Sequence, residues 1–350
     1  MSDELSWVAR AQHLADDLLF PAAMDVEREG HRRHPSAAAD PSGGHDILPK
    51  HLNRLAAEGF YGIAAPAEYG GVGRAGFSTL CDVIAALAGG CLTTTFVWLQ
   101  HLAPLMAVAD LAGEHDRTGW LRPLARGQRR AGLAMARPDL IRVRPVPGGY
   151  LVSGESPWVT GWGLVDVLLV GGIDDRGLLH FFFIDAAGSS SLVAHDSDLL
   201  AAQASRTVSL RFVDHFVPAD RLGHTQPLDT FVASQSGGTV MNGFLSLGIA
   251  GRCARMLGDA SDLEADIADA RLGLLTATPD EVPEARANSS LLAARAAARL
   301  MVQTGSRSVR ADQHASRLYR ESGFLLVFGL RPAIKHTMLQ RLSVPAIAPV

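Results

Sequence analysis

Lysine is almost missing from this chain of 350 residues: Lys50 and Lys335 are the only two, and arginine supplies the rest of the 32 Lys and Arg side chains. The skew reads as codon bias rather than as an arginine-built site. The 36 acidic residues are interspersed with the basic ones and the formal net charge is −4, so no basic field or polybasic arm is present. A nucleic-acid partner is therefore not expected. Cysteine is equally scarce. Cys81, Cys91 and Cys253 are too few and too scattered for a disulfide framework or a zinc cluster, and no metal site is expected. A reduced, cytoplasmic setting is predicted. No apolar run of 18 or more residues escapes polar interruption, so no membrane span is expected. The opening segment MSDELSWVARAQHLADDLLFP is acidic and amphipathic, unlike a signal peptide.

What is abundant is apolar: 47% of the residues, against 19% charged, which fits a globular chain with a large core. The length is about twice that of an ordinary single domain and predicts two or three packed units. Apolar groups at helical spacing run from residue 5 to 20 and are expected to stop at Pro21. A polar loop follows from His34 to Asp46. LPKHLNRLAAEGF predicts a helix ending at Gly59, APAEYGGVGRAG a glycine-rich turn, and FSTLCDVIAALAGG and TTTFVWLQHLAPLMAVADLAG two further helices. WLRPLARG predicts a short one.

The texture changes at Gln128. GGYLVSGESPWVTGW, VDVLLVGG, LLHFFFIDA and TVSLRFVDHFVP predict strands. The middle two are apolar on both faces, so helices are expected to cover that sheet. Past Pro227 helices return, among them FVASQSGGTVMNGFLSLGIAGRCARML, whose small residues suit close helix approach. NSSLLAARAAARLMVQTG should be capped by Asn288 or Ser289. QHASRLYRESGFLLVFG ends at Gly329, and RPAIKHTMLQRLS follows. The reading is α+β: an N-terminal helical domain (1–127), a small central β-domain (128–225) and a C-terminal four-helix bundle (226–350).

In PWVTGWGLVDVLLV, Trp158 and Trp162 bracket one turn before an apolar strand, although the chain has only five tryptophans. That stretch is one of five, in order along the chain, that resemble the acyl-CoA dehydrogenase superfamily. AAEGFYGIAAPAEYGGVG resembles its helix-and-turn signature and SPWVTGWGLVDVLLV its flavin-wall strand. ASRTVSLRFVDHFVPADRLG resembles its S-x-T strand pair, SLGIAGRCARML its first bundle helix and SRLYRES its R-L-Y-R-D segment. The resemblance implies the three-part fold, FAD held by the β-domain and the bundle, and an acyl-CoA or acyl-carrier-protein substrate. It also implies an assembly: a homodimer, a homotetramer, or a hetero-oligomer with a paralogue.

Carried over residue by residue, the resemblance gives Trp158 the stacking face for a flat ring and Thr160 a hydroxyl near the flavin N5. Val159, Met135 and Ala136 would offer backbone groups, the last two from the adjacent strand; Gly329 would be cofactor-binding too, and Arg331 after it would meet the FAD pyrophosphate or lie at the surface. Trp162 is expected to pack and Asp166 to bond structurally. Arg320 and Glu321 are expected to pair, and His314 and His336 to lie at the surface.

Departures from the family pattern are as informative. In LAMARPDLIRV, Ala136 replaces the flavin-binding threonine and Arg137 a glutamate, and the segment from Pro138 to Trp158 is short. In LVFGLRPAIK, Phe328 stands at the position of the usual catalytic glutamate and Leu330 at that of the threonine. The alternative base position falls near Gly238, and DLEADIADARLG lacks a recognisable R-x-x-F-G segment. Three readings follow: a flavin oxidoreductase acting on an acyl thioester, a flavin-dependent monooxygenase with His101 as its catalytic imidazole, or a catalytically degenerate subunit of a hetero-oligomeric dehydrogenase. The missing threonine also implies weaker FAD retention than usual.

Overall fold

The computed structural model describes residues 2–32, 46–69, 76–109 and 114–343. The polar loop expected from His34 to Asp46 lies outside them except for Asp46, as do residues 70–75 of the glycine-rich turn. Helices come first: α1 (Ser2–Leu14), α2 (Phe20–Arg32), α3 (Ile47–Ala57), α4 (Phe77–Gly90), α5 (Leu92–Leu99), α6 (Leu102–Ala109) and α7 (Glu114–Ala125). The strands are β1 (Ala131–Ala134), β2 (Ile141–Val146), β3 (Gly149–Val159), β4 (Val167–Ile173), β5 (Leu178–Asp185), β6 (Leu192–Asp196), β7 (Val208–Pro218) and β8 (Leu222–Pro227). The chain then returns to helix: α8 (Leu228–Ala233), α9 (Ser236–Leu257), α10 (Ser261–Thr276), α11 (Val282–Thr304), α12 (His314–Val327) and α13 (Pro332–Leu342).

Three helix boundaries differ from expectation, each for a local reason. Pro21 does not stop the first helix. A π-helical turn at Ala15–Leu19, closed by Phe20 N–H on Ala15 O, widens the backbone just ahead of the proline, and α2 runs on. The single helix expected from Thr93 breaks at Gln100–His101, because Pro104 cannot donate to the Gln100 carbonyl and its ring crowds it. The third boundary is the start of α11, at Val282 with Pro283 in its first turn. Asn288 and Ser289 are therefore interior, and Ser289 Oγ donates back to Arg286 O at 2.9 Å instead of capping.

The chain divides into two compact units, neither contiguous in sequence. One comprises Met1–Met24, Cys81–Leu92 and Gln235–Val350; the other comprises Asp25–Leu80 and Thr93–Ser234. In the first, α9 is buried along most of its length because its small residues admit neighbours. A Cβ on Gly248 would sit 2.3 Å from Ala85 O of α4, and one on Gly243 would sit 2.7 Å from Leu274 of α10. Arg252 of α9 donates to Gly89 O at 2.6 Å and pairs with Asp16 in the π-helical turn. Its guanidinium also lies over Phe20, which stacks on His314 at 4.1 Å. His314 is thus half-buried in a stack and not on the surface, whereas His336 is exposed.

The second unit holds an eight-stranded sheet in the order β6-β7-β3-β2-β4-β5-β8, with β1 paired to β4. β4 is buried at every residue and β5 at nearly every one, as their apolar faces demand. One face packs under α6 and α7: Val167, Leu169, Phe181 and Phe183 meet Leu105, Val108, Leu121 and Leu124. The other face is covered by the sheet itself. Leu168, Val170 and Phe182 pack against Val152, Val159, Leu210 and Phe212 of β3 and β7. Helices therefore cover one face only, and the curl of the sheet supplies the second cover. Each fully buried side chain here, such as Phe182, contributes about 1.5–3 kcal/mol. Leu92–Ala109 is long and apolar enough to cross a membrane by composition, but it is broken at Gln100–His101 and 72% buried within the protein.

Candidate functional site

The turn after β3 is strained. Between β3 and β7, Ser156 faces Leu210 and Val159 faces Val208, so three steps on β3 meet two on β7. The extra residue makes a bulge at Pro157–Trp158, where Pro157 has no N–H to give the ladder. Trp158 takes φ +60°, and its ring is 61% exposed. Gly161 N–H and Trp162 N–H then bond Ser205 O (2.9 Å) and Arg206 O (3.1 Å). The 202–206 segment they meet holds Ala202 at φ +58° and Arg206 at φ +51°. Among the described residues, three of the four non-glycine positive-φ residues thus fall in two hydrogen-bonded segments. Such strain costs on the order of 1–3 kcal/mol per residue and gathers at ligand sites.

Past the exposed Trp158 the turn is polar and buried. Thr160 Oγ1 lies 3.0 Å from Thr207 Oγ1, and Thr207 Oγ1 lies 2.8 Å from Ser205 Oγ. Ser156 Oγ is buried with no hydrogen-bond partner among the described residues. Val159 is fully buried in the sheet core opposite Val208. Trp162 packs against the same core. Asp166 is structural: its carboxylate accepts from Arg130 N–H (2.7 Å) while its own N–H donates to Arg130 O (2.8 Å), which fixes the entry to β1.

Met135 and Ala136 do not lie on a strand beside β3. β1 ends at Ala134 and pairs with β4, and the chain bends at Ala136 two residues ahead of Pro138. Met135 lies against Gly171, where a Cβ would come within 2.6 Å of its Sδ. Ala136 is exposed.

His101 is 1% exposed under the edge of Tyr61, with ring centroids 4.7 Å apart. Its Nδ1 accepts from Ala131 N–H at 3.0 Å, the first amide of β1. Nε2 lies near the Leu124 carbonyl without the geometry of a hydrogen bond. Burial, and then the Arg130 guanidinium, push its pKa down to about 3, against the Leu124 carbonyl. Through Nδ1 this neutral ring joins α5–α6 to β1, which leaves the ring proton on Nε2 without a hydrogen-bond partner among the described residues.

In the other unit, α12 ends at Val327 and Gly329 turns the chain at φ +63°. Phe328 stacks on Phe324 with centroids 5.7 Å apart. Arg331 is half-buried and donates to Gln235 Oε1 at 2.8 Å. Arg286 is 1% exposed, and its Nη2 donates to the carbonyls of Leu325 (3.0 Å) and Phe328 (3.2 Å). It thereby caps the C-terminus of α12 with a cation. Glu321 accepts from Arg317 Nη1 at 2.7 and 2.8 Å, so the buried pair uses Arg317; Arg320 donates to Ser316 Oγ at 2.5 Å. Gly238 lies in the first turn of α9, and a Cβ there would meet nothing within 4 Å.

Two buried polar features escaped the sequence reading. Ser205 and Thr207 were visible as an S-x-T pair, whose i, i+2 spacing places two hydroxyls on one side of an extended chain. Their bond to Thr160 depends on long-range register. Arg286 had no local signal.

A helical N-terminal region, a central sheet and C-terminal helices define the acyl-CoA dehydrogenase fold. Solved structures bear this out. Butyryl-CoA dehydrogenase from Megasphaera elsdenii superposes with TM-score 0.80 at 16% identity, covering 98% of both chains. A glutaryl-CoA dehydrogenase from Mycobacterium smegmatis, solved in complex with FADH2, gives 0.78 at 14% identity, covering 98% of this chain and 95% of that one. Residues 6–128 match the family model for the acyl-CoA dehydrogenase N-terminal domain. Benzylmalonyl-CoA dehydrogenase of Aromatoleum aromaticum is 26% identical over 182 residues, 49% of this chain and 48% of that protein. The chain spans about half the length of the curated relatives it matches. Residues 6–128 are thus similar to that family's N-terminal domain, and the chain as a whole shares the acyl-CoA dehydrogenase fold.

Proposed function

We propose that this protein is a flavin-dependent oxidoreductase acting on an acyl thioester, carried on coenzyme A or on acyl-carrier protein. The observation that carries the reading is Trp158: a large aromatic residue held out to solvent on a strained bulge, two residues before the first hydroxyl of a buried row. An exposed indole on αL backbone has no packing reason to be there, and it fits the apolar face of an isoalloxazine. The residues of the sheet unit that would hold FAD are Trp158, Thr160 and the backbone around Val159 and Met135. The bound group would supply a two-electron acceptor. The chain's own part is to stack the ring, to present the Thr160 hydroxyl and to exclude water.

A second reading concerns the base. Phe328 is apolar and Gly238 has no side chain, so the two customary positions for a proton-abstracting carboxylate are empty of one. This favours a hetero-oligomer in which a paralogue supplies the base over a self-sufficient homodimer or homotetramer. Burial that holds His101 neutral weighs against the monooxygenase reading, whose candidate acid it is. A cytoplasmic location, with neither nucleic acid nor membrane as partner, belongs to the same proposal.

The test is a titration of the purified chain with FAD, followed by the flavin absorbance band and by tryptophan fluorescence. Stoichiometric binding is expected, and Trp158→Ala should weaken it at least tenfold. Trp158→Gly should weaken it as much while stabilising the fold by about 1 kcal/mol, because glycine accepts positive φ without strain. FAD binding unchanged in both variants would overturn the assignment of this wall.

A further inference from the structure

Three buried hydroxyls stand in a row in the sheet unit. Ser205 Oγ, Thr207 Oγ1 and Thr160 Oγ1 are linked by contacts of 2.8 and 3.0 Å, on residues 0, 4 and 2% exposed. Each hydroxyl has one proton to donate and two lone pairs to accept. Three protons against two contacts leave one proton over. None of the three hydroxyls has another hydrogen-bond partner among the described residues.

The spare proton can stand at any of the three oxygens. On Ser205 it is stranded at the closed end of the row, and a buried donor without an acceptor is the costlier kind of unmet group. On Thr207, both neighbours donate inward and the spare proton is stranded in the middle. On Thr160 it stands at the end of the row two residues along the chain from the exposed Trp158, where the flavin reading places an accepting atom. The backbone holds this order rigidly, since Gly161 N–H and Trp162 N–H tie the Thr160 turn to Ser205 O and Arg206 O.

We propose that Ser205, Thr207 and Thr160 form a polarised hydroxyl chain that presents a single O–H donor at Thr160. The chain thereby selects a ligand ring atom that accepts a hydrogen bond over the same atom carrying a proton. The proposal rests on the flavin reading. In an oxidised flavin N5 is a bare acceptor, and in the two-electron-reduced ring it carries a proton, so the chain favours the oxidised form. Ser205 and Thr207 act through Thr160 and are positioning residues. A hydroxyl that accepts a hydrogen bond donates more strongly, so Thr207 sharpens the preference.

The discriminating variant is Thr207→Val, which keeps the side chain's shape and removes its hydroxyl. The dissociation constants of oxidised and reduced FAD and the midpoint potential of the bound flavin are measured. Oxidised FAD should weaken about threefold to tenfold, as loss of one networked hydrogen bond implies, and reduced FAD by less than twofold. The potential should therefore rise, by roughly 30 mV for a tenfold change in the ratio of a two-electron couple. Thr207→Ser should restore the wild-type potential, and Ser205→Ala should shift it the same way by less. Equal weakening of both forms, or a lowered potential, overturns the proposal.

A second measurement needs no flavin. Hydroxyl-proton NOEs in the free protein should place the Ser205 proton toward Thr207 and the Thr207 proton toward Thr160; a Thr207 proton directed at Ser205 overturns the polarity. Wild-type protein that takes up no FAD sinks the flavin reading alone, and the NOEs still decide the chain.

Discussion

Gly30 of α2 and Ala204 touch backbone to backbone: a Cβ on Gly30 would lie 2.4 Å from Ala204 N and 2.8 Å from Gln203 C. The contact holds the 202–206 segment, whose αL residues Ala202 and Arg206 flank the hydroxyl of Ser205. A helix that elsewhere gains from alanine here has no space for one.

The consequence is a reversed sign for a common stabilising change. In an open helix Gly→Ala gains about 1 kcal/mol. Gly30→Ala must instead move backbone on Ala204, and overpacking of this kind costs about 1–3 kcal/mol. Urea denaturation should show a lowered midpoint with an unchanged slope. The displaced 202–206 segment should also weaken FAD binding. A midpoint at or above wild type would show that the segment yields freely.

Much of the fold was legible because periodicity changes sharply where the chain changes structure. The switch at Gln128 precedes β1 by three residues, and the runs VDVLLVGG and LLHFFFIDA became the buried strands β4 and β5. The short β2 and β8 were not legible. IRVRPV contains a proline and LGHTQP has almost no apolar pattern, so each is a strand only because a partner is present. Pro21 misled because a π-helical turn is a property of packing and leaves no residue signature. At the site, Trp158 was conspicuous as a rare residue, but its exposure and αL backbone depend on a register shift against β7 about fifty residues on. Glu321 illustrates the same limit. Its partner is a helical turn back, at Arg317, on the buried face that sequence adjacency to Arg320 concealed.

Three histidines set an acid limit on stability. Burial pushes His51 and His314 down to about 4 and His101 down to about 3, and the Arg317 and Arg252 guanidiniums add to the effect at His314. Unfolded histidine titrates near 6.5. Between these values the unfolded chain binds more protons than the folded one, so stability is fully present above about pH 6.5 and falls as pH drops toward 4. Unfolding at pH 5 should bind up to about three protons at these groups, read as the slope of the urea midpoint between pH 6.5 and 5. His51→Gln should remove about one of them. A flat profile over that window would show that these rings stay hydrated.

Gly238 offers a direct trial of the missing base. It lies in the first turn of α9, where a Cβ meets open space, so a longer side chain enters without displacing a neighbour. Gly238→Glu replaces the residue most costly to helix order and puts an anion at a helix N-terminus, two effects that together give roughly 1 kcal/mol of stabilisation. The same carboxylate stands at the position where the family resemblance puts the alternative base. General-base assistance is worth roughly 10²–10⁴-fold, so the variant should gain turnover over a near-inactive wild type. The assay uses short-, medium- and long-chain acyl-CoAs with an artificial electron acceptor and FAD in excess. A gain in thermal midpoint with no gain in turnover would mean that the carboxylate does not reach the substrate, and a co-expressed paralogue would then be the next source of a base. Full turnover by the wild-type chain alone would show that a base already exists, and buried Glu321, held by Arg317, would be the first residue to release and retest.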